Sequence, residues 1–216
     1  MKLFQSFAST YFFLASSGIY SVGEDITLNI FRQLPIDKYF LAISRIAAGR
    51  ESMQSLKKLI DCYGINVDIV NKYQQTALHV AADRGNYEMV LGLLRLGASF
   101  QPRDLNGRTP LDYATKKGHA KVFRLLDATY RFFIAVNCGY CDGVFSLVAK
   151  EGVYINTFAA SGETALHIAT KRRDMSMMVV LLLLGADPRL CDRNNQTPAF
   201  YATKEMVILM KVYGLV

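Results

Sequence analysis

The side chains with the most chemistry to offer are few: four cysteines and three histidines in 216 residues. Cys138-Gly139-Tyr140-Cys141 has the Cys-x-x-Cys spacing that supplies half of a tetrahedral zinc site, which needs two further ligands. The histidines closest in sequence, His119 and His167, occupy places that a repeated pattern already explains, so Cys138 and Cys141 are read as packed thiols. With Cys62 and Cys191 they are expected to be reduced and mostly buried, as in a cytosol-like, cytoplasmic compartment. His79 and His167 each end a Thr-Ala-Leu-His run, where imidazole can bridge backbone groups of adjacent turns. His119 follows Gly118. There is no glycine-rich phosphate loop, Gly-x-Ser-x-Gly elbow or His-Glu-x-x-His pair. Asp104-Leu105-Asn106-Gly107 is too short for a calcium loop. No catalytic residue, metal or cofactor is expected.

The stronger chemical signal is charge. Ala114-Thr115-Lys116-Lys117, Ala169-Thr170-Lys171-Arg172-Arg173 and Ala202-Thr203-Lys204 repeat one basic corner, in a chain of net charge +7. Such a row would attract an acidic protein segment and speed encounter; the alternative is a solvated charged face. Basic and aromatic residues are not interleaved as single-strand binders require, so nucleic acid is not an expected partner. No stretch is apolar for long enough to span a membrane.

These corners are positioned by a repeat. Gln75-Thr76-Ala77-Leu78-His79 is echoed by Arg108-Thr109-Pro110-Leu111-Asp112, Glu163-Thr164-Ala165-Leu166-His167 and Gln196-Thr197-Pro198-Ala199-Phe200. The interval from Thr76 to Thr109 equals that from Thr164 to Thr197. A fixed period of that size means stacked supersecondary units. Each threonine is placed to cap a short helix, with proline tolerated at its first position. Leu78, Ala81 and Ala82 keep that helix slim, Gly85 ends it, and Val90, Leu93 and Leu94 give a second helix its apolar face. Gly97 closes the second helix, and Asp104-Leu105-Asn106-Gly107 turns the chain into the next unit.

Thr-Pro-Leu-His, Ala-Ala-x-x-Gly, Val-x-x-Leu-Leu and Gly-Ala resemble the ankyrin repeat. The resemblance implies an all-α solenoid of helix pairs with short β-hairpin fingertips, covering 51–216. Units are expected at 72–104, 105–126, 160–192 and 193–216, with a partial unit at 38–68. The period breaks once: the stretch from Thr109 to Thr164 is longer than one interval and shorter than two. A degenerate unit at 132–156 fills this gap, its Ala135 to Gly139 copying Ala81 to Gly85. The linker from Asp127 to Arg131 is too short for a full fingertip. A kink or shortened finger is expected there, with Tyr130, Phe132 and Phe133 filling the joint. The last helix is apolar at Met206, Val207, Ile208, Leu209 and Val212. It therefore looks poorly capped, unless the chain end, a partner or further sequence covers it.

Upstream, Asp25-Ile26-x-Leu28-x-Ile30-Phe31-x-x-Leu34-Pro35 and Ser44-Arg45-Ile46-Ala47 resemble an F-box, a small helical module spanning 22–50. That resemblance implies docking to a Skp-type adaptor of a cullin ubiquitin ligase through Ile26, Leu28, Ile30, Phe31, Leu34 and Pro35. The pattern departs at Val22-Gly23, where Leu-Pro is usual, and at Arg50, close to where tryptophan is usual. The same residues also read as an N-terminal cap of the solenoid. An F-box ahead of ankyrin repeats is similar to secreted effectors of intracellular bacteria, which would act in the host cytoplasm. Residues 1–21 read as an amphipathic segment or as a signal.

The chain is thus expected to bind proteins, either as a ligase adaptor or as a scaffold or inhibitor with no ligase link. In the ankyrin groove, Asp83, Arg84, Lys116, Lys117, Lys171, Arg172 and Arg173 are the candidate contacts. At the fingertips they are Tyr73, Leu105, Ala160 and Arg193.

Overall fold

A computed structural model describes residues 65–212, together with residues 47, 54, 56, 57 and 60. The described helices are α1 (Ala77–Asp83), α2 (Tyr87–Arg95), α3 (Pro110–Lys117), α4 (Ala120–Cys138), α5 (Cys141–Glu151), α6 (Ala165–Lys171), α7 (Met175–Leu183) and α8 (Lys204–Val212), with a 3-10 turn at Pro198–Tyr201. They pack in sequence, each pair against the next, around one continuous apolar core that runs from Ala47 and Leu56 to Met206 and Met210.

The threonine caps work as the spacing predicts. Thr109 Oγ1 accepts from the Asp112 N–H at 3.3 Å, and an Asp112 carboxylate oxygen accepts from the Thr109 N–H at 2.7 Å, a reciprocal capping box. At Thr76 a histidine replaces the acid. The Thr76 N–H donates to His79 Nδ1 at 3.0 Å, which places the remaining proton on Nε2, and that proton bonds the Arg108 carbonyl oxygen at 3.0 Å. Thr164, His167 and the Gln196 carbonyl repeat the device. One imidazole thus caps its own helix and ties it to the next unit. Gly85 allows a further tie. A Cβ there would lie 2.6 Å from the ring of His119, whose Nε2 bonds the Asp83 carbonyl at 3.0 Å.

The fingers are held by Asx turns. Asp104 Oδ1 accepts from the N–H groups of Asn106 and Arg108, and Oδ2 accepts from the Tyr113 hydroxyl at 2.8 Å. Burial pushes the Asp104 carboxyl up, but these bonds outweigh it and hold the group below its ordinary range. Asp192 and Tyr201 repeat the arrangement. Asp68 and Asn156 each reach into the following unit, to the N–H groups of Ser99 and Asp187.

Three expectations are corrected. The joint at Asp127–Arg131 holds no finger: α4 runs unbroken for 19 residues, about 28 Å at 1.5 Å per residue. No glycine or proline interrupts it, Arg131 bonds Asp127 one turn back at 2.9 Å, and the buried Thr129 hydroxyl donates to the Leu125 carbonyl at 2.8 Å. Phe132 and Phe133 are buried as expected, but Tyr130 is 41% exposed. Second, Lys204 does not end an inner helix; it begins α8. The outer helices that start at Tyr87, Ala120 and Met175 all stand at one spacing from their capping threonines, Thr76, Thr109 and Thr164. After Thr197 the outer helix starts a full turn sooner. The last inner helix lacks that turn and collapses to the 3-10 form. Third, none of the three described cysteines is buried: Cys138 and Cys191 are exposed and Cys141 is half-buried, while Cys62 lies outside the described residues.

Candidate functional site

The fingers flanking α4 meet each other directly. Ser99 and Phe158 form a parallel bridge, and the Phe100 N–H donates to the Phe158 carbonyl at 3.3 Å. Behind them Phe100 stacks on Phe133, with ring centroids 5.0 Å apart and planes 6° from parallel. Arg131 pins the other side, donating to both carboxylate oxygens of Glu151 as well as to Asp127.

The candidate groove cations fall into two groups. Lys117 lies 3.7 Å from Asp83 of the preceding unit. Lys171 donates to Glu163, lies 3.7 Å from Asp192 and sits 3.8 Å over the Tyr201 ring. The Glu163 bond raises the Lys171 ammonium above its ordinary value. Burial pushes Glu163 up, and the Lys171 bond more than offsets it, so that carboxyl is lowered. Both lysines are therefore spoken for by neighbours. Arg84, Lys116, Arg172 and Arg173 are exposed and make no ion pair among the described residues. The C-terminal end of α4, with the neutral Asn137 and Cys138, separates Lys116 from Arg172 along the chain of inner helices.

Arg173 is conformationally unusual. It has φ +57°, at the place where Gly85, Gly118 and Gly139 have φ of 67–72°. The left-handed region suits glycine and strains other residues.

Of the fingertip candidates, Tyr73 is 53% and Leu105 65% exposed, and the Leu105 N–H donates to the Tyr73 carbonyl at 3.0 Å. Ala160 and Arg193 are also exposed. The Arg193 side chain folds back over Gly162, where a Cβ would come within 2.2 Å of it. Its charge also reaches the Asp68 carboxyl, which burial pushes upward and which the Ser99 N–H and then Arg193 oppose. The candidate adaptor contacts Ile26, Leu28, Ile30, Phe31, Leu34 and Pro35 lie outside the described residues.

Residue-type reasoning missed one feature. Where α4 replaces a finger, a notch of about 440 Å³ opens on its flank. Tyr130 and Ile134 wall it from α4 and Ile168 from α6. Phe100 and Phe133 form its floor, and Arg172 stands at its rim. The signal was the Tyr130–Ile134 spacing of one helical turn next to the buried Phe133.

Among the described residues no group of three or more histidine, cysteine or acidic side chains converges as a metal site would require. None of the described helices is long and apolar enough to cross a membrane.

Stacked helix pairs, threonine-capped inner helices and hairpin turns define a repeat solenoid, a class whose surface binds other proteins. The sequence matches the family described as ankyrin repeats (3 copies) over residues 44–130 and 132–210. The chain belongs to the ankyrin-repeat family, and its repeats are a protein-interaction scaffold. It is similar to proteins of very different names. It is 32% identical over 181 residues to an L-asparaginase of Dirofilaria immitis, covering 76% of this chain and 30% of the relative. It is 30% identical over 145 residues to the potassium channel AKT2/3 of Arabidopsis thaliana, covering 61% and 18%. It is 30% identical over 154 residues to the Arabidopsis thaliana protein named "Putative E3 ubiquitin-protein ligase XBAT31", covering 70% and 31%. The chain spans less than a third of the length of each of these three.

Proposed function

We propose that this chain is a target-binding adaptor for a Skp/cullin-type ubiquitin ligase. The repeats hold an acidic segment of a target protein, and residues 22–50 dock the Skp-type adaptor. The observation that carries the target half is the set of cations at the ends of the inner helices, Lys116, Arg172 and Arg173, which have no acidic partner among the described residues. Long side chains left without acids of their own keep their donors for an incoming carboxylate. The fingertips at Tyr73 and Leu105 add apolar contact at the edge of the same surface. The ligase half rests on the Asp25–Pro35 pattern and is in keeping with the ligase name of one relative. Both halves operate in the cytoplasm, that of a host cell if the chain is a secreted effector.

A second reading is an ankyrin scaffold or inhibitor with no ligase link. It is favoured by Val22-Gly23 in place of the leading Leu-Pro and by the absence of any tryptophan. A pull-down on a purified Skp-type adaptor separates the two. Retention of the wild type, lost on combined Leu34→Ala and Pro35→Ala, supports the ligase role. A wild type that passes through unretained leaves the scaffold.

A further inference from the structure

We propose that the notch beside α4 is a selective subsite for an extended peptide segment carrying one bulky apolar side chain next to a carboxylate. This deepens the reading of the repeats as a target-binding surface and rests on it. Tyr130 and Ile134 are 41% and 45% exposed although they flank the buried Phe133. Two large apolar side chains one turn apart on a helix are neighbours and form a contiguous apolar patch of the kind that marks an interaction site. Here the finger that would have packed nearby is absent, because α4 continues through its place. The flanking fingers bond each other through Ser99 and Phe158 and leave no strand edge between them. An incoming segment therefore meets side chains and gains nothing from sheet extension.

Volume and charge select the occupant. About 440 Å³ takes roughly two or three side chains, enough for an anchor and its neighbours, and is at the small end of ligand-sized clefts. Of the two cations at the rim, Lys171 is neutralised by Glu163. Arg172 has no ion-pair partner among the described residues. Its guanidinium is the donor left for a carboxylate beside the anchor. A segment with lysine or arginine in that place would face Arg172.

Fluorescence anisotropy with a labelled decapeptide tests this. The probe carries a Phe-Leu pair flanked on each side by two glutamates. Two controls replace Phe-Leu with Gly-Gly, or the glutamates with lysines. The wild type is expected to bind the probe at least tenfold tighter than either control. Arg172→Glu and Ile134→Asp should each weaken it tenfold or more, Ile134→Ala about threefold, and Lys121→Glu, on a distant exposed lysine, by less than twofold. Thermal melts of each variant verify folding.

Equal binding of the Gly-Gly control, or equal loss from Lys121→Glu and Arg172→Glu, would show undirected charge attraction and overturn the subsite. The adaptor reading would survive either result, since its own test is the pull-down. No binding of the probe by the wild type, or full binding by Ile134→Asp, also overturns it. So does concentration-dependent dimerisation that Ile134→Asp abolishes while the probe stays unbound, because the notch then serves a second copy of this chain.

Discussion

Arg173 offers a direct test of whether this chain trades stability for a charged surface. It occupies the left-handed turn after α6, with φ +57°, where the corresponding turns after α1, α3 and α4 use Gly85, Gly118 and Gly139. The left-handed conformation costs a residue with a Cβ about 1–2 kcal/mol. Glycine relieves that strain but loses more chain entropy on folding, about 0.5–1 kcal/mol. Arg173→Gly should therefore stabilise the fold by about 0.5–1 kcal/mol, raising Tm by about 2 °C for a chain of this size. Gly118→Ala is the reciprocal change. Its φ is +72° and an added Cβ would meet no atom within 4 Å, so only backbone strain is introduced. It should lower stability by about 1 kcal/mol and Tm by about 2–4 °C. Scanning calorimetry of the two variants and the wild type reads both shifts. The same Arg173→Gly protein should bind the glutamate-flanked peptide more weakly, since one cation of the corner is gone. A lower Tm for Arg173→Gly would refute the strain argument. A higher Tm with undiminished peptide binding would show that the arginine is not retained for its charge.

Acid should loosen the intact junctions between units. Burial holds His79 and His167 below the ordinary imidazole value of 6.5, against opposing pulls from the Arg108 and Gln196 carbonyls and from Asp104, Asp112, Asp192 and Glu163. With the folded pKa depressed, the unfolded chain takes up protons first. The stabilisation is complete above pH 6.5 and is lost as pH falls through the folded values. Protonation at Nδ1 would also remove the acceptor of the Thr76 and Thr164 N–H groups. Tm is expected to be flat from pH 8 to about 7 and to fall below about 6.5, and a Tm constant down to pH 5 would contradict this. Separately, Phe132→Ala should cost about 3–5 kcal/mol, because the ring is fully buried at the joint where α4 replaces a finger. Urea denaturation followed by circular dichroism measures it, and a loss under about 1 kcal/mol would mean that α4 is not held by this packing.

Most of the fold was legible because each unit announces itself locally. A capping threonine, a partner three residues on and small residues one turn later are short-range chemistry, and they recur whatever lies on either side. The missing turn in the last unit was countable as well, since Lys204 follows Thr197 more closely than Tyr87, Ala120 and Met175 follow their own threonines. The unbroken α4 was readable in principle: between Gly118 and Gly139 no glycine or proline stands. Expecting a kink or shortened finger there imposed the repeat's period on residues whose own preferences are helical throughout. The exposed cysteines show the same limit, because composition ranks residue types by burial but does not assign a side chain to a face. The apolar pair Tyr130 and Ile134 was visible at its one-turn spacing, but the notch they wall was not. Its shape depends on Ser99 meeting Phe158 across the whole length of α4 and α5 in sequence, and on which cations find acids. Both are properties of the packed stack.

The junction at α4 is also built differently from its neighbours, and this bears on function. At two junctions a buried imidazole reaches the next unit's backbone, as His79 does to Arg108 and His167 to Gln196. A tyrosine then closes onto the finger's aspartate, as Tyr113 does to Asp104 and Tyr201 to Asp192. These bonds are directional and leave little freedom in how adjacent units lie. Across α4 no such histidine exists among the described residues. The joint keeps one backbone bond between fingers, Phe100 N–H to the Phe158 carbonyl, and otherwise relies on the Phe100–Phe133 stack, on the buried Phe132 and on the partly exposed Arg131–Glu151–Asp127 cluster. Aromatic contact is tolerant of small shifts, and exposed ion pairs contribute about 1 kcal/mol or less. Loss of the finger therefore has two linked effects: it uncovers Tyr130 and Ile134, and it replaces the imidazole–tyrosine lock with aromatic packing and the finger-to-finger bond of Phe100 to Phe158. A segment that seats its apolar side chain in the notch would bridge α4 and α6. It would thereby supply, from outside, a cross-unit contact of the kind that His79 and His167 make within the chain.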